Sequence, residues 1–120
     1  MVSFPLQISG VVKRGNGEAG RLFSFPTANL YLSSSPLEPG IYAGRTEAGH
    51  YVYDSVICFG VEEGKLESHL FDFSGDLYDK RIKVKVLERV GDIIPWESVT
   101  QMKKVIYEHA KLVRARLKKA

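Results

Sequence analysis

The chain has 120 residues, 44% hydrophobic and 26% charged, which fits one domain over 1–120 with its own core and excludes a disordered chain. No apolar run approaches the roughly 20 residues that a membrane-spanning helix needs. The opening "MVSFPLQISG" lacks a basic-then-apolar leader, and the single cysteine, Cys58, excludes an intrachain disulfide and a cysteine-based zinc site. The expected setting is therefore cytoplasmic and reducing, with no membrane partner.

The net charge of +3 is unevenly placed. Residues 103–119 carry seven basic residues and one acidic, net +6, while the rest carries ten basic and thirteen acidic, net −3. A nucleic-acid surface interleaves basic residues with exposed aromatics, and Tyr107 is the only aromatic in this segment. The basic segment reads as the solvated face of a helix, and no nucleic-acid partner is expected.

Taken in chain order, the first ninety residues read as β. "LQISGVVKR" (6–14) is rich in apolar and β-branched residues. The stretch that follows is "GRLFSFPTANLYL" (20–32), in which Pro26 fixes its own φ and pushes Phe25 toward an extended shape. Thr27 and Asn29, two apart, then share one face of an extended chain. "GIYAGRTEA" (40–48) and "HYVYDSVICFG" (50–60) meet at a tight connection through Gly49-His50. "KLESHLFDF" (65–73) leads through the turn-rich "SGDLYDK" to "RIKVKVLERV" (81–90), which alternates Ile82, Val84 and Val86 against Lys83 and Lys85. Short, closely spaced strands predict an antiparallel barrel. From Trp96 the period changes. Val99, Met102, Val105, Ile106, His109, Leu112, Val113 and Leu117 fall at helical spacing, and Ser98 with Gln101 matches a capping box. The expectation is one helix over about 97–118, packed across the barrel.

Three places could carry chemistry. The glycines of "VVKRGNGEAGR", Gly15, Gly17 and Gly20, let backbone N–H groups wrap an anion, although their spacing matches neither a P-loop nor a dinucleotide fingerprint. A mobile hairpin loop explains them equally. Thr27 and Asn29 are hard oxygen ligands suited to Mg²⁺, or turn polars bonded to the local backbone. Glu67 and His69 share a strand face with Phe71 and Phe73, which reads as a general base in a cleft or as a strand-end carboxylate in water.

Together these segments resemble riboflavin kinase, the flavokinase domain that makes FMN from riboflavin and ATP. The likeness covers about residues 8–118 in the family's order: "GVVKRGNGEAGRLFSFPTANL", "PGIYAG", "LESHLFDFSGDLYDKRIKV" and "PWESVTQMKKVIYEHAKLVRARL". It implies a mainly β fold, a six-stranded antiparallel Greek-key barrel with one C-terminal helix. It also implies an Mg²⁺-dependent transfer of the ATP γ-phosphate to the ribityl 5′-hydroxyl. By the same resemblance Thr27 and Asn29 hold the metal and the nucleotide phosphates, and Gly15, Gly17, Gly20 and Arg21 close over them. Glu67 is the implied base, His69 lies near the nucleotide, and Tyr78, Arg89 and Trp96 join Glu67 around the flavin. A monomer acting on these two small molecules is the expected form.

The sequence departs from the family pattern in four places. Ser24 replaces a glycine before Phe25-Pro26, "VEEGK" is shorter than the family's loop, Asp79 follows Tyr78 where the family has glycine, and Gly91 stands where the family has arginine. Arg89 is the candidate substitute, on the same face only if the backbone stays extended. These departures keep a second reading open, a flavin- or nucleotide-binding module that has lost turnover. A third is a structural or polyanion-binding barrel.

Overall fold

The computed structural model describes residues 3–13, 27–60, 63–73, 75–93 and 99–118, with helix side chains described at 104, 108, 110 and beyond. The described strands are β1 (Leu6–Val11), β2 (Thr27–Tyr31), β3 (Gly40–Ala48), β4 (Tyr51–Phe59), β5 (Lys65–Leu70) and β6 (Arg81–Gly91), followed by helix α1 (Val99–Lys118). All pairings are antiparallel, and the six strands form one sheet in the order β1-β6-β3-β4-β5-β2. The sheet curls into a barrel whose edges meet through an isolated bridge between Lys13 and Asn29, where Lys13 N donates to Asn29 O at 2.9 Å. The architecture implied by the family resemblance is thus the one observed.

Alternation decides which side chains enter the barrel. On β6, Ile82, Val84 and Val86 are buried while Arg81, Lys83 and Lys85 are exposed, as their sequence pattern predicts. They join Ala28, Leu30, Tyr42, Ile57, Leu66 and Leu70 in the inner cluster. Three hydroxyls sit inside this apolar space and satisfy one another. Ser55 Oγ donates to Thr46 Oγ1 at 2.9 Å, and Thr46 Oγ1 lies 2.7 Å from Ser68 Oγ.

The outer face of β3 and β4 is apolar for a different reason. Ile41, Ala43, Val56 and Cys58 form a second cluster with Ala110, Val113 and Leu117 of α1. Those helix positions are spaced three and four apart, so one stripe of α1 lies on the sheet. Arg114 pairs with Asp72 and stacks over Phe71 at 4.4 Å, and Arg116 pairs with Glu88. The basic helix face is therefore partly tied to the barrel. Leu112, expected inward, is 39% exposed, and Ala110 takes the inward position.

Several boundaries differ from the sequence reading. β1 ends at Val11, because Val12 turns to exchange hydrogen bonds with Asp79 and Lys80. β2 was expected only as an extended stretch and is a strand of the sheet. β5 ends at Leu70, and Asp72 adopts a left-handed φ of 60°. Phe71 consequently joins the helix-side cluster, and Phe73 stacks edge-on against Tyr53 near the inner cluster. Phe71 thus keeps to the outer face that Glu67 and His69 share, as expected, and Phe73 leaves it. The Gly49-His50 turn is observed, with Gly49 at φ +63° in its first position. Asp79 has φ 64°, the left-handed geometry for which glycine is the easier residue. Ser24, Pro95, Ser98 and the Met102, Val105, Ile106 and His109 side chains lie outside the described residues.

Candidate active site

β5 carries its functional groups by the same alternation. Leu66, Ser68 and Leu70 point into the barrel and are fully buried, which turns Lys65, Glu67 and His69 to the outer face. On β2, Ala28 and Leu30 are core, so Thr27 and Asn29 face outward as well. The register then brings the two sets together. Thr27 lies opposite His69, Asn29 opposite Glu67, and Tyr31 opposite Lys65. On the other side of β5, Glu67 lies opposite Cys58 and His69 opposite Val56. Since α1 packs on Val56 and Cys58, the helix borders this polar face.

The groups are close and largely withdrawn from water. Thr27 Oγ1 lies 2.9 Å from His69 Nδ1. His69 is 2% exposed, and burial, reinforced by the Lys65 ammonium, pushes its pKa down to about 4. The ring is neutral at physiological pH. Glu67 is 14% exposed at its side chain, and its Oε1 lies 3.9 Å from Lys65 Nζ, an ion pair whose lysine is itself buried. Burial first, and then the Glu67 carboxylate, push the Cys58 thiol far above its ordinary pKa, so Cys58 is inert packing. Asn29 is buried, and among the described residues its Oδ1 has no hydrogen-bond partner. An unpartnered buried carbonyl is costly, and native structures keep one where something else binds there.

Thr27, Asn29, Glu67 and His69 are thus brought onto one face. Arg89 is not. An irregularity in the β3–β6 pairing between Ile41 and Tyr42 places Gly91 opposite Ile41 and Arg89 opposite Tyr42. Directly opposed residues share a face. Gly91 therefore sits on the helix side of the sheet, while Arg89 turns to the Tyr42 side. There its guanidinium donates to Pro39 O at 3.1 Å and to Asp92 Oδ1 at 2.7 Å. The condition for Arg89 to stand in for Gly91 is not met. Tyr78, in the β5–β6 connection, packs against the inner cluster. Gly15, Gly17, Gly20, Arg21 and Trp96 lie outside the described residues. Among the described residues no group of three His, Cys, Asp or Glu could hold a metal, so a cation here would rely on the Thr and Asn oxygens.

Sequence reading missed two cations of this face. Lys65 could have been found, because it precedes Glu67 by one strand period. Lys13 could not, because only barrel closure brings it opposite Asn29.

Comparison with known proteins follows the same lines. A family model described as riboflavin kinase, the flavokinase domain, matches residues 2–117. A bifunctional riboflavin kinase/FMN adenylyltransferase from Bacillus subtilis is 34% identical over 97 residues, covering 72% of this chain and 30% of that protein. An RNA-binding riboflavin kinase from Bacillus subtilis is 29% identical over 116 residues, covering 91% of this chain and 50% of that protein. A crystal structure described as a macrolide-efflux protein from Streptococcus pneumoniae matches with a TM-score of 0.74 at 28% identity, over 92% of this chain and 37% of that one. The chain spans 17%, 30% and 50% of the length of three curated relatives that it matches.

Proposed function

We propose that this chain, which belongs to the riboflavin kinase family, transfers the γ-phosphate of ATP to the ribityl 5′-hydroxyl of riboflavin, giving FMN and ADP. The observation that carries the reading is the β2–β5 register, which sets Asn29 beside Glu67 and Thr27 beside His69 on one face. Phosphoryl transfer needs positioning and charge stabilisation more than covalent help. Glu67 accepts the proton of the 5′-hydroxyl as its oxygen attacks the γ-phosphorus, and the bond to the ADP oxygen breaks. Lys65, paired with Glu67, holds the carboxylate in place.

The oxygens on this face fit Mg²⁺. Thr27 Oγ1 and the unpartnered Asn29 Oδ1 are hard neutral donors, and Mg²⁺ is typically held by few protein oxygens together with water and phosphate. When bound, the ion neutralises phosphate charge. Lys13, opposite Asn29 at the barrel seam, adds a cation on the phosphate side.

One observation favours a second reading, a module that binds flavin or nucleotide without turnover. Gly91 puts no cation at its own position on the helix side of β6, and Arg89 is engaged on the other side. A chromatographic assay for FMN separates the two. Purified protein is incubated with riboflavin, ATP and Mg²⁺, beside Glu67→Gln and EDTA controls. Metal-dependent FMN that falls by about 10²-fold or more in Glu67→Gln supports the kinase. Riboflavin fluorescence quenched on mixing, with no FMN formed, supports the binding module.

A further inference from the structure

The Thr27–His69 contact has features that a turn hydroxyl does not. Such hydroxyls bond the backbone within a few residues. The Thr27 contact joins two side chains 42 residues apart, across a strand pair. His69 is 2% exposed and is flanked on its other side by Val56, so the ring is fixed by the sheet around it. Asn29 Oδ1, next along the same face, is buried with no partner among the described residues. The two oxygens are therefore prepared differently, one oriented and one left bare.

A hydroxyl has one hydrogen and two acceptor directions, and the place of the hydrogen decides what the oxygen offers a cation. We propose that His69 is a positioning residue for Thr27: its Nδ1 accepts the Thr27 O–H hydrogen, so that Oγ1 turns its lone pairs toward the cation also faced by Asn29 Oδ1. This assigns the Nε2–H tautomer to His69 and removes Nδ1 from any contact with nucleotide. It is the arrangement in which an outer partner orients a metal ligand. The inference rests on the reading of Thr27 and Asn29 as divalent-cation ligands given above.

The test is Mn²⁺ binding to the full chain with ADP present, read by electron paramagnetic resonance, for the wild type, His69→Asn, His69→Leu, Thr27→Val and the His69→Leu/Thr27→Val double variant. Asn returns an acceptor close to the position of Nδ1, and Leu fills the space without one. His69→Leu is expected to weaken Mn²⁺ binding by about tenfold or more, His69→Asn to recover most of the loss, and His69→Leu to add little in the Thr27→Val background. Ring ¹⁵N spectra of the wild type are expected to show a protonated Nε2 and a bare Nδ1. Equal losses in the Asn and Leu variants, or a proton on Nδ1, would overturn the inference while leaving the cation site standing. A wild type that binds no Mn²⁺ with ADP would remove the cation site, and this inference with it.

Discussion

Asn29→Leu should stabilise the protein and abolish the Mg²⁺-dependent kinase activity proposed for it. Asn29 is 5% exposed, and its Oδ1 is buried with no partner among the described residues. An unsatisfied buried polar atom costs about 1–3 kcal/mol, and an apolar side chain of similar shape removes that cost. Leu has the same branching at Cγ, so the site is neither emptied nor overfilled. The bond from Lys13 N to Asn29 O is a main-chain bond and survives the change. The net expectation is a gain of about 1 kcal/mol, or about 4 °C in midpoint for a domain of this size. The assay is thermal and urea unfolding in metal-free buffer, repeated with Mg²⁺ and ADP. Ligand at a hundredfold over its dissociation constant should stabilise the wild type by about 2.7 kcal/mol and leave the variant unmoved. A variant destabilised by more than about 1 kcal/mol without metal would refute the reasoning, because Oδ1 would then be satisfied in the free protein.

Other outcomes follow from the same geometry. A Cβ at Gly44 would stand 2.3 Å from Lys85 O and 2.5 Å from Ile57 Cδ1; Gly44→Ala is expected to cost at least about 2 kcal/mol in urea unfolding, since backbone cannot step aside as a side chain can. His69 has a folded pKa of about 4, below its ordinary value, so the unfolded chain binds the extra proton between these two values. Its contribution is complete above about pH 6.5 and is lost as pH falls toward 4, by up to about 3 kcal/mol; the stability difference between wild type and His69→Asn should shrink over that window, and a constant difference would contradict it. Cys58 is buried with its pKa pushed far up, and native protein should resist a thiol reagent until it unfolds. Rapid labelling of folded protein would contradict that burial.

Much of the site was readable from strand period alone. Spacing of two residues put Thr27 with Asn29 and Glu67 with His69, because side chains alternate across any extended strand. The apolar alternation of "RIKVKV" likewise named the inward residues of β6 before any partner strand was known. Phe73 was misplaced by the same rule, since nothing local announced that Asp72 takes φ 60° and ends the period. Leu112 and Ala110 exchanged places because helical spacing alone leaves the angular position of the packed stripe open by one residue.

The sequence by itself thus determined which residues share a face within each strand, the β-then-α order and the family. Only the tertiary structure decided which faces meet. The β2–β5 register pairs residues about forty apart, and hydrogen bonding between strands, which no local pattern records, sets Asn29 beside Glu67. Barrel closure set Lys13 beside Asn29, and one irregularity in the β3–β6 ladder turned Arg89 away from the side that Gly91 occupies. An inserted residue in a strand reverses the face of those beyond it, so a substitute cation two positions away in sequence became one on the other side of the sheet.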